Sequence, residues 1–442
     1  MELKRPGRGT GIALALLAVG SAGARAQPAE TPPAPRRIVV TFEQRTRVEG
    51  LTHPFRVDEL GLTRVLALRT RLQVAAPRIV GPLGAFLELQ DSRSSWNDQP
   101  FVVPARHINQ LDFKQAQLRL GFDRLLGDRA AGGVLLGRFT LDLGRRRLVA
   151  RNGMRNTTNA FDGVSAWAKA RDGSSVQAFV SRPVILEPDS LDRSFSSRLF
   201  WGAWLTLRKR RLVQADLYAL RLDESASTVT RRRLTTLGGR LYKPPSAGEA
   251  DYEVEMAWQG GASRDQDHSA LFVHVESGFT LRRGPARLAI LYDHASGDRD
   301  PADGRFERFD TLFGARSFEY APTGIYGPFF RANTEGPGAR ALVAPTTRIE
   351  ATVGYRALWL AEARDAWVGS GLQDPTGTSG RFLGHHLEAG LRWRARRWLL
   401  VEAAWGHFFK GSFLDQVPGS PRTPDSDYVT VGVEFGGTIF SR

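Results

Sequence analysis

The chain has 442 residues, a formal net charge of +15 and no cysteine. Without cysteine there is no disulfide framework, no thiolate metal or redox site and no lipid anchor through a thiol, so stability must come from noncovalent structure. Of the 61 basic residues only Lys4, Lys114, Lys169, Lys209, Lys243 and Lys410 are lysine. The rest are arginine, whose planar fork suits carboxylate, sulfate or phosphate, although a GC-rich genome would also enrich it; the charge bears on partners and not on fold.

In chain order, Lys4, Arg5 and Arg8 precede the apolar run GIALALLAVG and the small-residue site Ala24-Arg25-Ala26. This is the pattern of a secretory signal peptide over 1–26. The proline-rich QPAETPPAPRR that follows reads as an extended leader over 27–36, before an ordered unit spanning 37–442. No later run approaches the ~18–20 apolar residues of a spanning helix, which leaves a periplasmic, secreted or outer-membrane strand protein.

From there the recurring signal is a period of two. In VTVGVEF, Val429, Val431, Val433 and Phe435 oppose Thr430, Gly432 and Glu434; LEAGLRW (387–393) and LFWGAWLTL (199–207) alternate in the same way. The pattern predicts strands near 37–48, 63–76, 82–91, 112–123, 132–143, 161–171, 174–185, 196–208 and 211–222. Nine more fall near 231–242, 250–260, 269–282, 286–294, 335–344, 346–360, 381–394, 397–409 and 425–437. Connections alternate between tight turns (PRIVGP, ARDGSS, RKRR, RRGP, RARR) and longer polar segments, as in outer-membrane barrels with short periplasmic turns and long extracellular loops.

The expected fold is therefore all-β, a transmembrane antiparallel β-barrel of 18 strands in the bacterial outer membrane. A soluble β-sandwich or β-helix is the competing architecture. Against it stand the signal peptide, the turn asymmetry, the aromatics at strand ends (Tyr252, Trp258, Trp359, Trp393, Trp405) and the bulky charge on the second face. On this parity Arg69, Arg71, Arg119, Arg138, Arg240, Arg287, Arg356 and Arg392 point into the lumen. The 144–161 segment becomes an outer loop, and the longest connection, 295–334, is placed to fold inward as a constriction or plug.

GRFTLDLGRRRLVARNGMRNTTNAFDGV, residues 137–164, resembles a segment of the alginate export family of outer-membrane proteins. Gly137, Arg138, Leu143, Gly144, Arg147, Leu148, Val149, Arg151, Gly153, Phe161, Asp162 and Gly163 match its pattern. Phe139 replaces a glutamine, and the family's asparagine is displaced to Asn156 or Asn159. FDTLFGARSF with TGIYGPFFRANTEGPG, and 382–414 with its GHFFKGSFL ending, resemble the same family, except that His386 stands where a glutamate is usual. The resemblance implies an 18-stranded barrel with an arginine-rich lumen that passes an anionic exopolysaccharide outward.

A polyuronate needs weak, repeated contacts, which a ladder of arginines interleaved with acids provides. The lumen arginines above, with Arg145, Arg147, Arg151 and Arg155 at the outer end, are the candidate pore-lining residues, each weighed against ordinary pairing inside a barrel wall. Asp162 is expected to be structural, paired with a nearby arginine at the start of the sixth strand. Scattered histidines and Asp298, Asp300 and Asp303 read as interfacial rings and ordinary loop acidity rather than metal ligands. No nucleophile elbow, phosphate loop or zinc-protease motif is present, so neither an enzyme nor a cofactor is expected. The expected partners are an acidic polysaccharide or another organic anion, outer-membrane lipid and a periplasmic export scaffold, with no nucleic acid and a monomeric chain. An uptake porin for small organic anions is the alternative function.

Overall fold

A computed structural model describes residues 38–441, apart from 58–60, 97–106, 126–128, 209–212, 226–229, 318 and 321. The predicted signal peptide and leader lie outside the described residues. The strands are β1 (Val39–Thr52), β2 (Leu62–Val80), β3 (Leu83–Ser95), β4 (Asn109–Leu125), β5 (Ala130–Phe139), β6 (Phe161–Ala170), β7 (Ser175–Ile185), β8 (Arg193–Ser194), β9 (Arg198–Leu207) and β10 (Gln214–Glu224). They continue as β11 (Arg233–Lys243), β12 (Ala250–Ser263), β13 (Gln266–Thr280), β14 (Ala286–Ala295), β15 (Arg305–Phe306), β16 (Thr334–Thr346), β17 (Ile349–Trp359), β18 (Phe382–Arg396), β19 (Leu399–Lys410) and β20 (Ser426–Ser441).

β8 and β15 are two-residue edge pieces; the other eighteen strands pair antiparallel with their neighbours, and β1 closes on β20. Closure removes every free edge, which is the condition for a sheet to span lipid. All eighteen predicted strands are present. The segment expected at 132–143 ends early, at Phe139, because Leu141 and Leu143 leave the wall and bury themselves inside the barrel. β12 and β13 run longer than expected and are joined by Arg264 and Asp265 alone, both in the left-handed region (φ 53° and 66°). Two such residues match the twist of a tight hairpin, so one connection on the long-loop side is short.

Alternation sets sidedness. Leu288, Ile290 and Tyr292 of β14 point outward, Ile290 with 68 % of its surface free, and Leu136 lies between Leu118 and Val164 on the same outer face. Inside, Arg45 sits opposite Arg69 and Glu43 opposite Arg71. Where a soluble sandwich would hide its apolar face, this sheet turns it out, and its charged face is buried.

The interior is filled by loops. One apolar cluster gathers Phe55, Phe329, Trp367, Phe408 and Phe413; the other gathers Phe139, Leu141, Leu143, Leu148, Phe161, Phe200 and Phe309. Each such side chain withdrawn from water contributes about 1.5–3 kcal/mol before entropy is subtracted. In the second cluster Gly144 adopts φ 52°, and a Cβ there would lie 2.2 Å from the Trp204 ring, itself stacked on Tyr218 with centroids 4.1 Å apart. Both the dihedral and the contact require glycine at this position of the motif.

Candidate solute passage

Two inserted segments meet inside the barrel. Residues 140–160, expected as an outer loop, fold into the lumen: Arg147 is 2 % exposed, and Asn156, Thr157 and Thr158 have no exposed surface. The described residues of 306–333 fold inward as well, as the sequence suggested. Their backbones join as a short parallel bridge, Val149 opposite Phe313, with Phe313 N–H donating to the Leu148 carbonyl at 3.0 Å and Ala150 N–H to the Phe313 carbonyl at 3.1 Å. The apolar residues between the arginines, which the outer-loop reading left unused, supply the reason for this burial.

The tip of the first segment is stitched to the wall. The Asn156 amide donates to the carbonyls of Leu68, Arg93 and His107 at 2.9–3.1 Å, while the Asn159 amide reaches those of Ala150 and Phe313. Both asparagines are thus used, one on the wall and one on the second loop. Arg45 and Arg69 donate to the carbonyls of Gly153 and Arg155, and Arg47 to that of Met154.

Arg147 is the junction between loops and wall. It lies 2.6 Å from Glu253 and 2.5 Å from Glu319 and also pairs with Glu255, while Arg331 holds the other side of Glu319. Burial alone would depress the Arg147 guanidinium, but Glu319, Glu253 and Glu255 outweigh it and hold it well above its ordinary value. Burial likewise opposes ionisation of Glu319, yet Arg147 and Arg331 keep its carboxyl well below the usual range.

The other predicted arginines are mostly paired to the wall. Arg71 reaches Gln90, Glu43 and Glu88; Arg69 reaches Glu43 at 2.7 Å; Arg240 reaches Asp216 and Glu253; Arg287 reaches Asp251 and Glu276; Arg356 reaches Asp293 at 2.6 Å. Arg119 stacks on Phe86, Arg145 lies 3.7 Å from Glu253, Arg151 pairs with Glu88 and Arg155 with Asn159. Arg138 does not line the lumen. It shares the outward parity of Leu136, and Asp162 grips it at 2.7 and 3.0 Å while also accepting from Ser194, so the pair fastens the outer wall to the loop after β7.

A cavity runs between the β16–β20 and β1 wall and the loop tips at Met154, Ser317 and Pro322. Arg45, Arg47, Arg340 and Arg392 line it together with Glu350, Glu388, Glu402 and Glu434. Of the arginines predicted from the sequence, Arg392 lines this cavity, 3.0 Å from Glu402. Arg45, Arg47 and Arg340 were missed, although the alternation Glu43-x-Arg45-x-Arg47-x-Glu49 in β1 carries the signal. Arg45 differs from its neighbours in having no carboxylate within 4 Å among the described residues; backbone carbonyls alone receive its guanidinium.

The profile of the alginate export family matches residues 37–425. The chain belongs to the alginate export family. No curated protein sequence matches it. Among solved structures, OccK5 (OpdH) of Pseudomonas aeruginosa superposes with a TM-score of 0.60 at 12 % identity over 91 % of this chain and 98 % of its own. OccAB1 of Acinetobacter baumannii gives 0.61 at 10 % over 91 % and 97 %, and the P. aeruginosa outer-membrane protein OpdK gives 0.58 at 12 % over 91 % and 99 %. At such identity the superposition speaks for fold alone. Family and fold together make this alginate export family member an outer-membrane channel.

One contact within the inserted loop has a pH signature. Asp298 is 3 % exposed, its Oδ1 has no hydrogen-bond partner, and its backbone N–H donates to Asp365, which Arg308 grips. Burial first, then the charge of Asp365, pushes the Asp298 carboxyl up to about 6. A raised carboxyl stabilises the docked loop below its unfolded value and loses that contribution as pH rises through about 6. Asp298→Asn, which imitates the neutral form, is expected to abolish the change in loop protease resistance between pH 5 and pH 8; a persisting change would place the titrating group elsewhere.

Proposed function

We propose that this channel passes a carboxylate-bearing polysaccharide of the alginate type by passive, anion-preferring diffusion through the cavity beside the inserted loops. The supporting observation is Arg45, a guanidinium on the passage wall with no carboxylate partner, flanked by Arg47, Arg340 and Arg392. Interspersed Glu350, Glu388, Glu402 and Glu434 limit the depth of any one trap, so a uronate can bind through one sugar and release through the next. The tightly paired arginines, from Arg69 to Arg356, are assigned to holding the wall and the loops.

A second reading, uptake of small organic anions, is favoured by the loops themselves: the buried Arg147–Glu319–Arg331 chain pins them across the lumen and narrows the path. Single-channel recording in planar bilayers separates the two readings. Under the first, oligouronates block the current at lower concentrations than monomeric carboxylates, with residence time growing with chain length. Equal block by monomer and oligomer would leave the small-anion reading.

A further inference from the structure

The short-turn end of the barrel carries an uneven charge. The turn between β13 and β14 holds Arg282 and Arg283, that between β16 and β17 holds Arg348, and that between β18 and β19 follows Arg396 with Arg397. All five are exposed, none has a carboxylate within 4 Å among the described residues, and the segments LRRGPA, APTTRI and RARRWL contain no acidic residue. Elsewhere on the same rim Arg78 pairs with Asp123 and Lys243 with Glu249, and Asp172 stands beside Arg171; the β9–β10 connection, RKRR, is basic as well, but its strands do not line the cavity.

These three turns are successive along the rim; the second and third close strands of the cavity wall, from Arg340 of β16 through Glu388 and Arg392 of β18 to Glu402 of β19, and the first joins β13 to β14, the neighbour of β16. Arg396 is four residues along β18 from Arg392, roughly 13 Å at about 3.3 Å per residue. Neighbouring turns lie two strands apart, roughly 10 Å. The unmatched arginines therefore stand at one mouth of the passage, spaced for several sugars of one extended chain and too far apart for one small anion to bridge. At the opposite end arginines and acids are mixed, as in Arg231 with Asp265 and Arg193 with Glu187, although Arg305, Arg364 and Arg422 are exposed with no carboxylate within 4 Å among the described residues.

We propose that Arg282, Arg283, Arg348, Arg396 and Arg397 form a capture rim for an extended polyanion, so that the acidic polysaccharide loads from the turn side, which in outer-membrane barrels is the periplasm. This rests on the polysaccharide reading above and adds the residues at which the chain is first held. Matched surface charges retain nothing, whereas an unmatched cluster beside a low-dielectric wall raises the local polyanion concentration and speeds association in a salt-dependent way. A chain threaded past the rim then meets the balanced arginines and glutamates of the cavity and leaves at an end where basic and acidic side chains are intermixed.

The test uses the mature chain in planar bilayers, with insertion direction read from a thiol reagent at Gln416→Cys, since the chain has no other cysteine. An oligouronate is added to one chamber and then the other. The rate of block from the turn side is expected to exceed that from the loop side. Changing all five arginines to glutamine should slow it at least tenfold and leave the loop-side rate unchanged, while five lysines should restore it. Heat-resistant mobility on gels serves as the folding control. Block at equal rates from both sides, or a glutamine variant as fast as the parent, overturns the rim alone; absence of block from either side overturns the rim and the polysaccharide reading together. A glutamine variant that loses retention by phosphatidylglycerol vesicles while keeping its rate of block assigns the arginines to lipid and likewise overturns the proposal.

Discussion

Arg147→Ala is expected to raise single-channel conductance several-fold and make it unsteady, with the barrel itself intact. The substitution removes the guanidinium shared by Glu253, Glu255 and Glu319 and leaves three carboxylates facing one another. Glu253 keeps Arg240, Glu255 keeps the Tyr218 hydroxyl at 2.9 Å, and Glu319 keeps Arg331. Their mutual repulsion therefore falls on the movable partner, the 296–333 segment. Breaking one side of a buried ion pair costs about 3–5 kcal/mol, and with about 1.4 kcal/mol per factor of ten the docked loop gives up at least a hundredfold of its preference. The wall does not depend on Arg147, because its ladder runs through strand–strand pairs that the loops do not supply. Arg147→Lys keeps the charge without the fork and should fall between the two. Parental conductance in Arg147→Ala would mean that the loops are seated by their apolar residues alone.

The second large effect concerns the outer face. Ile290→Arg is expected to weaken folding into lipid vesicles by about 2–4 kcal/mol, the penalty for a guanidinium on the lipid face near the midplane. Thr352→Arg, on a residue lining the cavity, should fold normally, since its side chain stays in water. The comparison is a urea titration of vesicle-inserted protein, followed by tryptophan fluorescence. If Thr352→Arg were the more damaging of the pair, the assignment of apolar residues to lipid and charged residues to the bore would be inverted.

Much of this architecture is legible in the sequence because a barrel wall is a local code. Alternation of apolar and polar residues marks each strand, and parity carries sidedness from one strand to the next, so VTVGVEF and LEAGLRW disclosed both their strands and their outer faces. The interior was less legible. GRRRLVARNGMRNTTNAF has the composition of a solvated loop, and only the three-dimensional placement of Glu253, Glu255 and Glu319, far apart in sequence, makes its arginines burial-competent. Arg138 misled because its charge suggested the lumen, whereas counting back to Leu136 would have turned it outward. Arg45 and Arg47 were readable by the same counting in β1, but nothing local distinguishes an arginine paired with a carboxylate from one held by carbonyls.

That distinction bears directly on selectivity. Many of the arginines are committed to carboxylates in pairs that support structure, which leaves selectivity to the groups on the passage and its rim. The most direct measurement is the reversal potential of the purified channel across a tenfold potassium chloride gradient at neutral pH. A potential of the sign set by chloride, growing as the salt is diluted, is the expected result. A potential of the sign set by potassium would contradict anion passage, whichever solute the channel carries.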